Sequence, residues 1–169
     1  MATGKIRALV YGALLAAFAA GASAQQEHQH QHMHAMGKGA VAQLQLDAGK
    51  RWPTDPSLRQ GMEKIRTAFD ADHPAIHAGT ETDAQYETLA TSIEREVNSI
   101  VANCKLPAAA DAQLHFVIAD LLQGVSLMRG KDPERSRHDG AALVHGALNG
   151  YAKFFDDPSL VPSPGKPQP

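Results

Sequence analysis

The amino-acid sequence predicts an all-α protein, an up-down-up-down four-helix bundle preceded by a disordered His/Met-rich N-terminal tail. Apolar residues recur at the three- and four-residue spacings of an amphipathic helix in four successive segments. The breaks between these segments are polar and contain proline or glycine, which end helices. No segment shows the strong apolar–polar alternation of a strand, so a helical bundle is the leading fold.

The first helical segment begins after two prolines, where Asp55 or Ser57 is placed to cap it. Its apolar stripe consists of Leu58, Met62, Ile65 and Phe69. The stretch DADHPAIHAGT follows this stripe. Because proline and glycine interrupt helices, we expect the helix to break at Pro74 and Gly79.

Three further stripes predict the other helices. The second consists of Tyr86, Leu89, Ile93, Val97, Ile100 and Cys104, and Pro107 marks its end. The third consists of Leu114, Ile118, Leu121, Val125 and Met128, with a cap expected near Asp111. The fourth consists of Val144, Leu148, Tyr151 and Phe155, and it follows the polar break RGKDPERSRHDG. Each stripe is long enough to form one helix of a bundle.

The N-terminus has the order of a secretory signal peptide. Lys5 and Arg7 precede an apolar run over residues 8–20, and Ala22-Ser23-Ala24 is a small-x-small cleavage pattern. The run is shorter than the roughly 20 residues that span a bilayer. We therefore expect residues 1–24 to be a signal peptide that is removed after Ala24, and the mature protein to be periplasmic.

The remaining chain divides into a flexible tail over residues 25–50, a bundle over 51–158 and a Pro-rich C-terminal tail over 159–169. The formal net charge of −2 and the lack of a basic stripe argue against a nucleic-acid partner. No second long apolar run is present, so no membrane association is expected after signal cleavage. The chain has one cysteine, which leaves both a monomer and a disulfide-linked homodimer open.

The N-terminal tail carries the densest set of metal-type ligands, in the stretch EHQHQHMHAM. The histidines and methionines concerned are His28, His30, His32, Met33, His34 and Met36. Alternating imidazoles in a mobile chain bind copper, nickel or zinc, and thioethers add affinity for cuprous ion. The alternative is a solubilising linker, which glutamine and serine alone would serve.

A second candidate site follows from antiparallel connectivity. Met62 lies early in helix 1, Cys104 lies last in helix 2 and His115 lies early in helix 3, so the three residues share one end of the predicted bundle. Thiolate, thioether and imidazole together suit copper. The alternative is core packing for Met62 and Cys104. A second histidine is missing, because His145, the nearest candidate on helix 4, should sit one to two turns away from this end of the bundle.

The opposite end of the predicted bundle holds a third group. His73 and His77 are spaced i, i+4, and His138 opens helix 4. If the stretch DADHPAIH kept one helical turn, His73 and His77 would share a face, which is a spacing that metals accept. With Pro74 between them, we favour the interpretation that these are solvated surface histidines.

Catalytic motifs are missing from the sequence. It contains no CxxCH, no HExxH, no GxSxG and no Gly-rich phosphate loop. Helix 4 has no ExxH, which excludes the di-iron carboxylate pattern of bundles. We therefore expect that the protein is not an enzyme.

The helix layout resembles the cytochrome b562 and cytochrome c-prime architecture, a periplasmic four-helix bundle with a methionine early in helix 1. The b562 pattern places an axial histidine near the end of helix 4, where this chain reads NGYAKFFDD. The c-prime pattern has CxxCH in helix 4, which this chain lacks. The resemblance therefore implies the architecture and does not extend to haem.

A closer resemblance is carried by KRWPTDPSLRQGMEKIR, HPAIH, IVANCKL, ADAQLHFVIADLLQG and ALNGYAKFFDDP, which together cover roughly residues 50–158. In these stretches the chain resembles a family of small proteobacterial secreted proteins that carry the label DnrO. The resemblance implies a role in copper or metal homeostasis and supports Met62, Cys104 and His115 as site residues. The family's helix 4 often ends in FDHP, whereas this chain reads FDDP, with Asp157 in the position of the histidine.

The sequence therefore predicts a periplasmic copper-binding protein that acts as a metal buffer or carrier in copper homeostasis or resistance. Its metal would be Cu⁺ or Cu²⁺, with zinc as the alternative, and another periplasmic copper protein is a candidate partner. Two other functions stay open. One is a non-metal helical bundle that serves as an envelope-stress chaperone or partner-binding module. The other is a copper electron-transfer protein, which would require intense visible absorption.

Overall fold

A computed structural model describes residues 39–160 of the chain. The predicted signal peptide, all six metal-type ligands of the tail and residues 161–169 lie outside the described residues. Within residues 39–160, four α-helices dominate the fold and no strand is present. The prediction of an all-α four-helix bundle is confirmed at this level. None of the helices in this part of the chain is long and apolar enough to cross a membrane.

The helices are α1 (Pro56–Ala78), α2 (Asp83–Asn103), α3 (Ala108–Met128) and α4 (Arg137–Phe154). Short 3-10 helices occupy Ala40–Gln43 and Pro158–Leu160. The residues of the predicted stripes are buried in the core, except Cys104 and Ile118, which are half-buried. The side chains of Met62, Ile65 and Tyr151 are fully buried. The helices that are neighbours in sequence pack on one another, and α1 also contacts α4.

Side-chain caps fix where the helices begin. Asp55 accepts a hydrogen bond of 2.7 Å from the backbone N–H of Leu58, which confirms the predicted cap of α1. Helices α2 and α4 begin with capping boxes, Thr82 with Gln85 and Ser136 with Asp139. The helical periodicity alone predicts neither box. Helix α3 begins after Pro107 without a side-chain cap, so the expected cap near Asp111 is wrong.

The expected break of the first helix at Pro74 is also wrong, because α1 continues to Ala78 and ends at Gly79 in the left-handed conformation, with φ of 68°. A proline removes one helical hydrogen bond, here the one that would be accepted by the carbonyl of Asp70. Pro74 and Asp70 are both exposed, so water can take that place. Ile76, beyond the proline, is buried and holds the last turn on the bundle.

The closest helix contact is between α3 and α4. A Cβ atom added at Gly124 would lie 2.8 Å from the carbonyl oxygen of Gly140, and one added at Gly140 would lie 2.6 Å from the carbonyl oxygen of Gly124. The two backbones can therefore approach only because both positions are glycine. This contact sets the position of the first turns of α4, which carry His138 and His145.

The segment before the bundle docks on its side. Ala40–Gln43 forms a 3-10 helix, and Val41 and Leu44 pack on the hydrophobic core of the bundle. The buried carboxylate of Asp120 accepts hydrogen bonds from the backbone N–H groups of Ala40 and Val41, at 2.6 and 2.9 Å. The side chain of Leu44 is buried on the same side. Asp120 therefore fixes the point at which the N-terminal tail joins the bundle.

Candidate metal centres

One pocket is lined by four histidines and has a volume of about 240 Å³. Helix α1 and helix α4 each contribute four lining residues, which are Phe69, His73, Ile76 and His77, and His138, Ala141, Ala142 and His145. We call it the histidine pocket. All three histidines of the predicted end group are therefore brought to one place, together with His145, which the sequence analysis had assigned to no site.

Helix geometry explains how these side chains converge. His73 and His77 are one turn apart on α1, and they share a face because the helix continues through Pro74. His138 and His145 are seven residues apart on α4, which is about two turns and returns to the same face. The contact between α1 and α4 then places the two pairs opposite each other.

The ring spacing of His73 and His145 is the one that a shared metal ion needs, and the spacing of His73 and His77 is slightly larger. The ring centroids of His73 and His77 are 6.2 Å apart, and those of His73 and His145 are 5.5 Å apart. Two imidazoles that bind one metal at about 2.0–2.1 Å place their centroids roughly 5–6 Å apart. In residues 39–160, no three His, Cys, Asp or Glu side chains are arranged as they stand to hold a metal. A metal bound here would therefore require these side chains to move from their present positions.

His145 has the most defined surroundings of the four histidines. Its ring stacks on Phe69, with centroids 5.6 Å apart and planes 10° from parallel. Its Nε2 atom lies 3.2 Å from the side-chain nitrogen of Asn149, and the donor depends on the tautomer. Burial, followed by the charges of His73 and Arg66, lowers the pKa of His145, although Asp70 acts in the opposite direction. A lowered pKa keeps this imidazole neutral, which is the form that binds metals.

A second pocket contains the only cysteine. It has a volume of about 130 Å³ and is lined by Ile100, Val101, Cys104, Asp111, Leu114, His115 and Ile118. We call it the thiol pocket. It lies where α2 ends and α3 begins. The structure therefore brings Cys104 and His115 to one pocket, as the antiparallel arrangement predicted.

Cys104 is held as a thiol by its surroundings. Burial and the nearby Asp55 carboxylate raise the pKa of Cys104 to about 11. Burial acts to raise the pKa of Asp55 as well, but hydrogen bonds from the backbones of Leu58 and Lys105 lower it below its usual value. The Lys105 bond is 2.5 Å long. The ionised carboxylate at this position opposes a thiolate on Cys104.

His115 and Met62 are in very different environments. The His115 side chain is 68% exposed, and its Nδ1 atom lies 2.8 Å from the backbone oxygen of Asp111 and 3.5 Å from that residue's carboxylate. Met62 is fully buried in the core and does not line the thiol pocket. The trio is therefore gathered only in part, with the thioether separated from the pocket by packing.

Asp157 has a structural role that a histidine could not fill. Its buried carboxylate accepts hydrogen bonds from the Tyr151 hydroxyl at 2.9 Å and from the N–H and hydroxyl of Ser159 at 2.9 and 2.6 Å. A neutral imidazole accepts through one nitrogen only. The FDDP stretch of this chain thus includes a network that needs both carboxylate oxygens of Asp157.

No protein-family model, curated protein or solved structure was found to match this chain. The resemblance to the DnrO-labelled proteins consequently stays a prediction.

Proposed function

We propose that this chain is a periplasmic copper-binding protein that acts as a metal buffer or carrier in copper homeostasis. The observation that carries the proposal is the convergence of His73, His77 and His145 in one pocket, with neighbouring ring centroids 5.5–6.2 Å apart. Imidazole is a ligand for copper and zinc. Three neutral imidazoles would leave one position on the metal open, as a protein that receives and passes on an ion requires.

Binding in the histidine pocket would use local rearrangement only. The rings of His73 and His77 would turn about their side-chain bonds toward His145, which is held by its stack on Phe69. If the Asn149 amide presents its oxygen to Nε2 of His145, the Nδ1 atom of His145 is free for the metal. Such a partner on the second ring nitrogen orients a ligand and raises its basicity.

The ligand set favours cupric ion. The pocket offers nitrogen donors and no sulfur, and soft sulfur donors are what select Cu⁺. Divalent copper binds nitrogen sites more tightly than zinc does in the Irving–Williams order. We therefore assign Cu²⁺ to this pocket, with zinc as the alternative.

The thiol pocket is the second candidate site, for Cu⁺ on Cys104 and His115. A metal would have to displace a proton from a thiol whose pKa is about 11, so binding there should strengthen as the pH rises. Met62 could join only after repacking of the core, because its side chain is fully buried. For this reason the electron-transfer alternative, which needs a complete copper–thiolate centre, has less support than storage or transport.

We further infer that the helices run up-down-up-down, which separates the two pockets. Arg129 at the end of α3 bonds Glu87 near the start of α2 and Glu94 near its middle, at 3.0 and 2.8 Å. At the other end, Asp55 before α1 accepts from the N–H of Lys105 after α2. The histidine pocket then lies at the first of these ends and the thiol pocket at the second. Two separated sites suit a buffer that holds copper in both oxidation states.

The cellular location rests on residues 1–24, whose basic start, apolar run and Ala-x-Ala pattern support secretion and removal of this segment. A periplasmic protein would meet copper before the cytoplasm does. The His/Met-rich tail would add capture capacity, and a second periplasmic copper protein would be the partner that receives the ion.

The test is a titration of the full chain with Cu²⁺ against a competing chelator. We expect His145→Ala and His73→Ala each to lower the affinity of the tightest site at least tenfold, because each removes one ligand. His115→Ala is the matched control, since it removes an imidazole of the other pocket. The result that would overturn the proposal is unchanged tight binding in all three variants.

A loss confined to the control, or to Cys104→Ser, would instead move the site to the thiol pocket. If no variant and no wild-type protein retains copper or zinc, the partner-binding alternative takes the place of the metal-binding one. In that case Cys104 and the pocket histidines would contribute to packing alone.

A further inference from the structure

The histidine pocket is larger than a metal ion requires. Its volume of about 240 Å³ corresponds to about eight water molecules, since one water occupies about 30 Å³ in the liquid. An ion and one bound water would fill about two of these eight places. Pockets for drug-sized molecules are larger, at about 300–1,000 Å³. The remaining space therefore suits a small molecule of roughly six non-hydrogen atoms.

The ligands proposed for the ion leave its charge uncompensated. Three neutral imidazoles bring no negative charge to Cu²⁺, and among residues 39–160 no carboxylate lines this pocket. Arg66 and Asp70 act on His145 with opposite charges, so this pair adds no net charge. A charge that is removed from water costs free energy unless it is paired. Cu²⁺ also favours four ligands in a plane, of which the histidines supply three. An anion therefore matches both the charge and the open position.

The remaining wall of the pocket is apolar. Helix α1 contributes the buried side chains of Phe69 and Ile76, and α4 contributes the buried Ala141 and the exposed Ala142. These side chains can neither donate nor accept a hydrogen bond. They gain by contact with aliphatic groups that leave water. A ligand that fills the pocket should therefore be charged at the end that binds the ion and aliphatic at the other.

His138 lines the same pocket but is not among the proposed metal ligands. It lies two turns, or about 10.5 Å, along α4 from His145. Imidazoles that share one ion place their rings roughly 5–6 Å apart, so His138 is better placed to contact a ligand of the ion than the ion itself. The residue is exposed, and its ring N–H can donate a hydrogen bond to a carboxylate oxygen. This gives His138 a role at the mouth of the pocket.

We propose that the histidine pocket binds copper together with a small aliphatic monocarboxylate, which completes the coordination of the ion and accepts a hydrogen bond from His138. This proposal rests on the proposed function of the pocket. The aliphatic chain of the ligand packs on Phe69, Ile76 and Ala142. Butyrate has the size that the remaining volume allows. The site then recognises a metal–carboxylate complex, which contains more than the ion alone.

Isothermal titration calorimetry of the full chain, loaded with one equivalent of Cu²⁺, tests this recognition. Two additional methylene groups on an apolar wall are worth roughly tenfold in affinity, so we expect butyrate to bind at least about fivefold more tightly than acetate. 1-Butanol has a similar aliphatic chain without the charge and should not bind. Butyrate should not bind to the metal-free chain. Equal affinities for acetate and butyrate, or butyrate binding without copper, would overturn the proposal.

Two variants separate the carboxylate from the ion. Ala142→Leu narrows the pocket at an exposed position, and His138→Ala removes the hydrogen-bond donor. We expect the first to lower butyrate affinity about tenfold and the second about fivefold, with Cu²⁺ affinity within about twofold of the wild type in both. Ala119→Leu, an exposed change on α3, is the matched control and should alter neither affinity. Unchanged butyrate affinity in both pocket variants would count against the proposal.

His145→Ala separates this proposal from the one on which it rests. If this variant loses tight copper binding but the copper-loaded wild type binds no butyrate, the metal site stands and the carboxylate ligand is wrong. If His145→Ala changes neither copper binding nor butyrate binding, both proposals fail.

Discussion

The imidazole of His145 lies stacked on the ring of Phe69, with centroids 5.6 Å apart and ring planes 10° from parallel. This contact joins the predicted core stripe of α1 to a residue that the sequence assigned to no site. It also removes the imidazole from solvent, which lowers the pKa of His145. A side chain held in this way is a preorganised and neutral metal ligand.

The lowered pKa of His145 makes stability depend on pH. An unfolded histidine binds a proton near pH 6.5, whereas the folded one does so only at lower pH, so the unfolded state takes up more protons between the two pKa values. The contribution of His145 is therefore fully present above about pH 6.5 and is lost as the pH falls toward the folded pKa. We expect His145→Gln to reduce the loss of Tm between about pH 7.5 and pH 5.5. Thermal unfolding monitored by circular dichroism checks this, with His115→Gln as the exposed control. Identical pH slopes in His145→Gln and the wild type would contradict the assignment.

Asp120 should stabilise the docked N-terminal segment. In Asp120→Asn one carboxylate oxygen becomes an amide that cannot accept from the N–H of Ala40 or Val41. We expect a loss of about 1 kcal/mol in the free energy of unfolding, since a half-buried backbone donor is left without a protein partner. Urea denaturation measures this loss, and hydrogen exchange should accelerate at Ala40 and Val41. Gln123→Ala, an exposed change on the same helix, should alter stability little, and protected Ala40 and Val41 amides in Asp120→Asn would count against the anchor.

Asp157→His should destabilise the fold. The substitution removes an acceptor that serves the Tyr151 hydroxyl and two donors of Ser159 in a buried place. We expect a cost of about 2–4 kcal/mol in the free energy of unfolding, because more than one donor loses its partner. The neighbouring Asp156 is exposed, so Asp156→His serves as the matched control and should cost little. If the two variants unfold at the same urea concentration, the network has no structural role.

Cys104 should react slowly with alkylating reagents. Its pKa of about 11 leaves little thiolate at neutral pH, whereas an unperturbed thiol ionises near pH 8.5. We expect the rate of reaction with iodoacetamide to keep rising beyond about pH 10 in the folded protein. Asp55→Asn should shift this profile to lower pH, since it removes a negative charge while asparagine still caps α1. A rate that levels off near pH 8.5 in the wild type would show that the thiol is not perturbed.

Local rules account for most of what the sequence predicted correctly about the fold. The four stripes become the buried faces of four helices because side-chain periodicity follows from helix geometry alone. Pro74 was misjudged because its effect depends on the surroundings. The lost hydrogen bond lies on the exposed side of α1, while buried Ile76 holds the next turn in place. Propensity rules do not contain that tertiary contact.

The sites were less accessible to sequence reasoning because they depend on which helix faces cross. Cys104 and His115 share a pocket as predicted, but the Met62 side chain is buried in the core. The position of a residue in an apolar stripe does not reveal whether its side chain lies in the core or lines a pocket. The sequence related His145 only to the end of the bundle that holds Cys104 and His115. Two spacings in the sequence indicated the histidine pocket. His138 and His145 are two helical turns apart, and His73 and His77 are one turn apart. These spacings bring the four histidines together only if α1 continues through Pro74 and α1 contacts α4.

The most direct test is to observe the side-chain nitrogens of all nine histidines by NMR while one equivalent of Zn²⁺ is added to the full chain. Zinc is diamagnetic, so each imidazole that binds it reports through its own shift. The proposed site predicts that His73, His77 and His145 shift first and together. Shifts confined to His115, or spread evenly over the tail histidines while the pocket histidines stay unchanged, would contradict a metal site between α1 and α4.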